Sequence, residues 1–243
     1  MHFLLVHGAW HGGWVFTPLA NALAVRGHRA SAPDLPAHGS DVTPPGAVGL
    51  ERYIETITDA LDAAAEPVVL VGHSFGGMVV AGAAGRRPDA VAALIYLAAY
   101  LPAPGDSAAL LVSGGRAARI EQAMQPDEER GTVAVGEAAS RRLFYPDVPA
   151  ADARAALARL RPEPLAPLYE RAGPMPGLAR VPSGYLVCGR DRVLPPALQR
   201  EMATRGCAVM RELDSAHTPQ LSMPVSLAAV LHEMAVALAS GGA

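Results

Sequence analysis

Short apolar runs alternate with segments of helical periodicity along most of the chain. Runs at 2–6, 28–33, 67–72, 92–97, 182–188 and 208–213 are predicted as strands, and 16–26, 50–65, 75–87, 195–205 and 224–239 as helices. In the last helix Val225, Leu227, Ala228, Leu231, Met234, Ala235 and Leu238 recur at the spacing of a half-buried face. Pro195-Pro196 suits a helix start, where a missing N–H costs nothing. This alternation argues for an α/β fold with a mostly parallel sheet flanked by crossover helices. The rhythm breaks between about 102 and 180, where prolines abound, helical patterns at 107–112, 116–124, 135–143 and 150–160 are short, and no clear strand is found. That insertion falls between a strand ending near Ala98 and one starting near Val181. It is read as a small helical cap over the carboxyl ends of the strands, where open α/β sheets bind ligands. The expectation is therefore one domain over 1–243, with its core in 1–101 and 181–240, and a frayed tail at Ser240-Gly241-Gly242-Ala243.

Composition adds limits. The 243 residues are 51% hydrophobic and 18% charged, an ordinary globular balance. A chain this long buries roughly 70% of its unfolded surface, enough for one sizeable core. The formal net charge of −3 gives no basic footprint for nucleic acid or an anionic membrane. No stretch of about 20 uninterrupted apolar residues appears, so no membrane span is expected. The N-terminus lacks a basic leader pattern and reads as a first strand, so the expected compartment is the cytoplasm. All 20 basic residues are arginine. Schiff-base lysines and serine–lysine dyads are thereby excluded, because arginine does not deprotonate at working pH. Cys188 and Cys207 lack metal-ligand spacing and read as two buried free thiols, with a disulfide as the alternative. Neither a metal nor a cofactor is expected, and nothing signals an oligomeric state.

The chemistry concentrates at Gly72-His73-Ser74-Phe75-Gly76, which follows the apolar run Val68–Val71 and opens a helical pattern. Gly-x-Ser-x-Gly between strand and helix describes a sharp turn that presents a serine hydroxyl above the sheet. The small flanking residues give the turn room, and the helix N-terminus favours developing negative charge. A serine nucleophile also needs a base and an acid to orient that base. After Ser74 the chain offers His217 and His232. His232 lies in the last helical pattern, which suits a surface or packing role. His217 sits on a loop after a strand and before Thr218-Pro219, where a base can reach the serine. For the acid, Asp191 follows a strand end in Gly189-Arg190-Asp191-Arg192, whereas Asp214 is too close in sequence to His217 to approach it comfortably. Asp191 is favoured, its other role being a carboxylate serving the helix that starts at 195. The oxyanion donors are expected from the backbone N–H of Phe75 and of Ala9, in the loop His7-Gly8-Ala9-Trp10-His11-Gly12-Gly13-Trp14. Trp10, Tyr100, Leu101, Phe144 and Tyr145 are expected to line the substrate pocket, or else to pack the cap on the core.

These segments together resemble the α/β-hydrolase superfamily, in the branch of plant methylesterases, hydroxynitrile lyases and related bacterial esterases. The resemblance runs from residue 1 to about 235 and is weak in the cap. It implies an α/β-hydrolase fold with Ser74 as nucleophile, His217 as base, Asp191 as orienting acid, and the Ala9 and Phe75 amides as oxyanion hole. The lyases of this branch are similar to one another in a threonine just after the first-strand histidine and a lysine after the base. Gly8 and Thr218 stand at those positions here. The departure favours a serine carboxylesterase over cyanohydrin cleavage, and because no arginine stands out as a carboxylate clamp, a small or medium, apolar or aromatic ester is the expected small-molecule partner. The alternatives are a lyase or a lactone- or polyketide-tailoring hydrolase using the same site, and a ligand receptor on a hydrolase scaffold.

Overall fold

The computed structural model describes residues 1–241; Gly242 and Ala243, part of the tail expected to fray, lie outside the described residues. The first half of the core alternates as predicted: β1 (His2–Val6), α1 (Thr17–Val25), β2 (Arg29–Ser31), α2 (Leu50–Asp62), β3 (Val68–His73), α3 (Gly76–Arg86) and β4 (Val91–Leu97). The cap segment follows with α4 (Ala108–Val112), α5 (Ala118–Glu121), β5 (Met124–Asp127), β6 (Thr132–Val135), α6 (Glu137–Leu143), α7 (Ala150–Leu157), β7 (Glu163–Pro164) and α8 (Leu165–Tyr169). The chain returns through β8 (Ser183–Cys188), α9 (Pro196–Ala203), β9 (Val209–Leu213), α10 (Pro219–Ser222) and α11 (Pro224–Ala239).

The main sheet has the order β2-β1-β3-β4-β8-β9, and every neighbouring pair is parallel. Its central strands are mostly apolar, as a sheet covered on both faces requires; all six residues of β3 are buried, the last of them His73. One face packs against α2 and α3 through Ile54, Ile57, Met78 and Val80. The other packs against α1 and α11 through Leu19, Leu23, Leu227, Leu231 and Met234. Topology puts the carboxyl ends of β1, β3, β4, β8 and β9 along one edge, under the cap.

The cap corrects one expectation. It is not purely helical: β5, β6 and β7 form a three-stranded antiparallel sheet. The signal was weak for physical reasons. β5 contains Pro126, tolerated because β5 is an edge strand, and β7 is two residues long. Both cysteines are free; Cys188 is buried as expected, whereas Cys207 is partly exposed. No helix among the described residues is long and apolar enough to cross a membrane.

Candidate active site

Ser74 occupies the turn between β3 and α3 with φ +54, a conformation unfavourable for a residue with a Cβ. Its N–H donates to the Leu97 carbonyl at 3.2 Å, and its carbonyl accepts from the Tyr100 N–H at 3.0 Å, so the end of β4 holds it there. Crowding explains the flanking glycines. A Cβ at position 72 would meet Val80 Cγ2 at 2.5 Å, and one at position 76 would meet the Val6 carbonyl oxygen at 2.6 Å. Ser74 and Phe75 line a cavity together with Ala9, and no protein acceptor takes the Phe75 or Ala9 N–H among the described residues.

Asp191 lies in the turn after β8, and its carboxylate is fully engaged. Oδ1 accepts from the Val193 and Leu194 N–H groups at 2.7 and 3.1 Å. Oδ2 accepts from Gln199 Nε2 at 2.8 Å and from His217 Nδ1 at 2.7 Å. Gln199, buried on α9, ties this turn to β8 by accepting the Cys188 N–H at 3.0 Å. His217 sits between β9 and α10 and is buried, and of its two ring nitrogens only Nδ1 has a protein partner among the described residues. The residue before Ser74 reaches it from below: His73 Nε2 donates to the His217 carbonyl at 2.8 Å, with the two rings 4.7 Å apart. Asp214, the discarded acid, is exposed and paired with Arg190 at 2.7 Å. His232 packs on α11 against the His28 ring, 5.0 Å between centroids.

The loop after β1 is held by imidazoles. His7 Nδ1 donates to the Gly8 carbonyl at 2.9 Å, and its Nε2 accepts the Leu35 N–H at 3.0 Å. His11 Nδ1 donates to the Ala9 carbonyl at 2.7 Å, and its Nε2 accepts the Tyr145 hydroxyl at 2.8 Å. Burial pushes His7 down to about 3 and His11 down to about 4, with neighbouring imidazoles adding to the shift. His73 is driven well below its ordinary value by burial and then by His217. All three are therefore neutral supports at pH 7.

Trp10 has φ +64, and the cap holds it from three directions. Its backbone N–H donates to Glu163 Oε2 at 2.9 Å, its indole N–H to the Val133 carbonyl at 2.9 Å, and its carbonyl accepts the Arg161 N–H at 3.0 Å. Glu163, fully buried on β7, also accepts from His38 Nε2 at 2.7 Å and from the Tyr53 hydroxyl at 3.2 Å. Burial alone would lower the His38 pKa, but the Glu163 carboxylate reverses the effect and raises it. Sequence reasoning missed this cluster because a single glutamate in a proline-rich stretch reads as a surface acid.

The cavity over Ser74 measures about 240 Å³. Of the expected pocket residues, Trp10 and Tyr100 line it. Leu101 lines a separate depression with Pro102 and Met175. Phe144 stacks behind Trp10 at 5.5 Å, and Tyr145 serves His11, so both aromatics support the walls. The cap contributes Ile120, Glu121, Met124 and Leu168 instead. A larger hollow of about 440 Å³ lies on the far side of Trp10, but neither Ser74 nor its amide neighbours reach it. No group of three or more His, Cys, Asp or Glu that could hold a metal occurs among the described residues.

Comparison with known proteins agrees with this fold. Residues 3–230 match the profile described as "Alpha/beta hydrolase family". A pyrethroid hydrolase of Sphingobium wenxiniae is 32% identical over 96% of this chain and 86% of its own. Methylesterase 10 of Arabidopsis thaliana is 30% identical over 96% of this chain and 91% of its own. The crystal structure of a pyrethroid hydrolase from Sphingobium faniae superimposes with a TM-score of 0.89 at 30% identity, covering 99% of both chains.

Proposed function

This chain belongs to the α/β-hydrolase family, and from that premise we propose that it is a serine carboxylesterase acting on a small or medium, apolar or aromatic ester. One observation carries the reading. A serine at positive φ lines a cavity with two backbone amides that have no acceptor among the described residues, and the residue before it bonds to the backbone of a histidine whose imidazole is locked on a carboxylate. The names of the relatives, a hydrolase and a methylesterase, support ester hydrolysis.

In this mechanism Ser74 Oγ attacks the ester carbonyl while His217 Nε2 takes its proton. Asp191 Oδ2 holds Nδ1–H, which fixes the tautomer and stabilises the imidazolium. The Ala9 and Phe75 N–H groups receive the oxyanion; such a donor is typically worth about 3 kcal/mol in the transition state. His217 then protonates the leaving alcohol, and water attacks the acyl-enzyme with the same base. Ser74 Oγ makes no hydrogen bond to His217 here, and bonds of this kind commonly tighten only around bound substrate.

Cyanohydrin cleavage is disfavoured. No lysine exists to meet a cyanide leaving group, and the Thr218 hydroxyl is spent on the Phe144 carbonyl at 2.7 Å. A Cβ at position 8 would come within 2.7 Å of Ser74 Cβ, which excludes a threonine there without movement. An organophosphonate should label the wild type and not Ser74→Ala, and p-nitrophenyl acetate should give a burst matching the labelled fraction. Labelling of Ser74→Ala would overturn the assignment, and cyanide release from mandelonitrile would favour the lyase.

A further inference from the structure

The cavity over Ser74 is apolar on most of its cap side, with Ile120, Met124 and Leu168 in its wall, yet it also takes in Glu121. Glu121 ends α5, and its Oε1 is shielded from solvent with no hydrogen-bond partner. Buried polar atoms in folded proteins are almost always paired, so an orphan on a cavity wall calls for an explanation. No cation supplies one. Not one of the 20 arginines lines this cavity. On α5 and just before it, Arg119 faces a different groove and Arg116 pairs with Glu201. Tyr100, on the same wall, is pushed upward by burial and then by the charge of Glu121, which sets the carboxylate within the field of the site.

Resting on the esterase reading, we propose that Glu121 is a specificity-determining residue that receives a hydrogen-bond donor, best a protonated amine, on the part of the substrate remote from the ester. The chemical logic is an unpaired carboxylate oxygen in a mostly apolar wall whose other polar groups, Ser74 aside, are the neutral hydroxyls of Tyr100, Ser113 and Tyr169. An ammonium or N–H group completes Glu121 with a charge-assisted bond. An alkyl group of the same size leaves the oxygen unpaired, and a substrate carboxylate is repelled. The substrate class is thereby narrowed from apolar or aromatic esters to amphiphilic ones, with an apolar body and a donor at the far end.

The test uses matched esters: methyl 4-(aminomethyl)benzoate, its 3-isomer, and the isosteric methyl 4-ethylbenzoate. Binding is measured by calorimetry in Ser74→Ala, so the answer does not depend on turnover, and kcat/KM is measured in the active enzyme. A charge-assisted bond in a desolvated site predicts that one amine isomer binds at least about tenfold more tightly than the ethyl ester. Adding Glu121→Gln should bring that ratio close to one. The ratio is read because it is insensitive to a general loss of folded protein. Equal binding of the amine and ethyl esters, or a ratio that survives Glu121→Gln, overturns the proposal. Selective amine binding without turnover or organophosphonate labelling would instead reject the esterase reading and keep the role of Glu121.

Discussion

Two buried imidazole–carboxylate pairs hold residues that line the cavity, Val193 and Trp10, and by distance they are indistinguishable. His217 meets Asp191 at 2.7 Å, and His38 meets Glu163 at 2.7 Å. What differs is the far side of each ring. His38 spends its Nδ1 on the Pro36 carbonyl at 3.0 Å, and its acid also carries the Trp10 N–H and the Tyr53 hydroxyl. Every valence of that pair is closed, and it joins the cap sheet to the core. His217 keeps Nε2 without a protein partner, on a loop that His73 holds beside Ser74. A histidine on a buried carboxylate is thus no sign of catalysis by itself; under the proposed mechanism the uncommitted second nitrogen of His217 is the distinguishing feature.

The sharpest way to break this contrast is to neutralise each acid in turn. Asp191→Asn keeps the shape but puts an amide N–H among four donors, so the His217 tautomer is no longer held. We expect kcat to fall by roughly 10³- to 10⁴-fold, with KM and the thermal midpoint changed far less. Glu163→Gln should show the reverse balance. Comparable losses of kcat in the two variants would erase the division of labour between the pairs.

Removing the structural acid outright should expose its cost. Glu163→Ala leaves His38 Nε2 and the Trp10 N–H without a partner in a dry interior and the Tyr53 hydroxyl with only a long 3.4 Å contact to His38 Nδ1. Breaking a buried pair from one side destabilises by about 3–5 kcal/mol, to be read from urea unfolding monitored by tryptophan fluorescence. Trp10 adjoins Ala9, so the oxyanion loop should loosen as well and lower kcat more than it raises KM. A loss below about 1 kcal/mol would show that water replaces the carboxylate at little cost.

The same pair gives a pH signature whose sign is determined. His38 has its folded pKa raised above the ordinary 6.5. Its stabilisation is therefore fully present below the unfolded value and is lost as pH rises through the folded value. His7 and His11 are shifted the other way, to about 3 and about 4, so they destabilise the fold progressively as pH drops below about 6.5. Wild-type stability should peak near neutrality and decline on the alkaline side. That alkaline decline should shrink in Glu163→Gln, while the acid-side decline persists. An unchanged alkaline limb in the variant would assign it to other groups.

The contrast also explains what the sequence could reveal. The turn at Ser74 and the pairing of Asp191 with His217 are legible because strand–turn–helix punctuation and chain order can be read along the sequence, and the glycines around Ser74 mark crowding that only a missing Cβ relieves. The parallel core was legible from the spacing of its apolar runs, with helix ends displaced by up to three residues. The cap sheet was not, since Pro126 disguises an edge strand and a two-residue strand has no periodicity. Glu163 and Glu121 were equally hidden. Burial of an acid is decided by which segment lies on top of it, and nothing within a few residues of either encodes that. For Phe144 and Tyr145 the sequence left two roles open, pocket wall or cap packing, and the contacts fit the second, since both prop up residues that form or hold the wall.

That supporting role gives the mildest test. Tyr145 donates its hydroxyl to His11 Nε2 at 2.8 Å, and His11 in turn donates to the Ala9 carbonyl at 2.7 Å. Tyr145→Phe preserves the ring packing and deletes one hydrogen bond, leaving a neutral buried nitrogen unpaired. The expected cost is about 1–2 kcal/mol of stability. Because the His11–Ala9 bond stays intact, the Ala9 N–H should keep its aim and kcat should change less than about threefold. If kcat instead falls by more than about tenfold with stability preserved, Tyr145 orients the oxyanion loop directly. The boundary between the reacting half of the site and its scaffold would then lie one residue further into the cap.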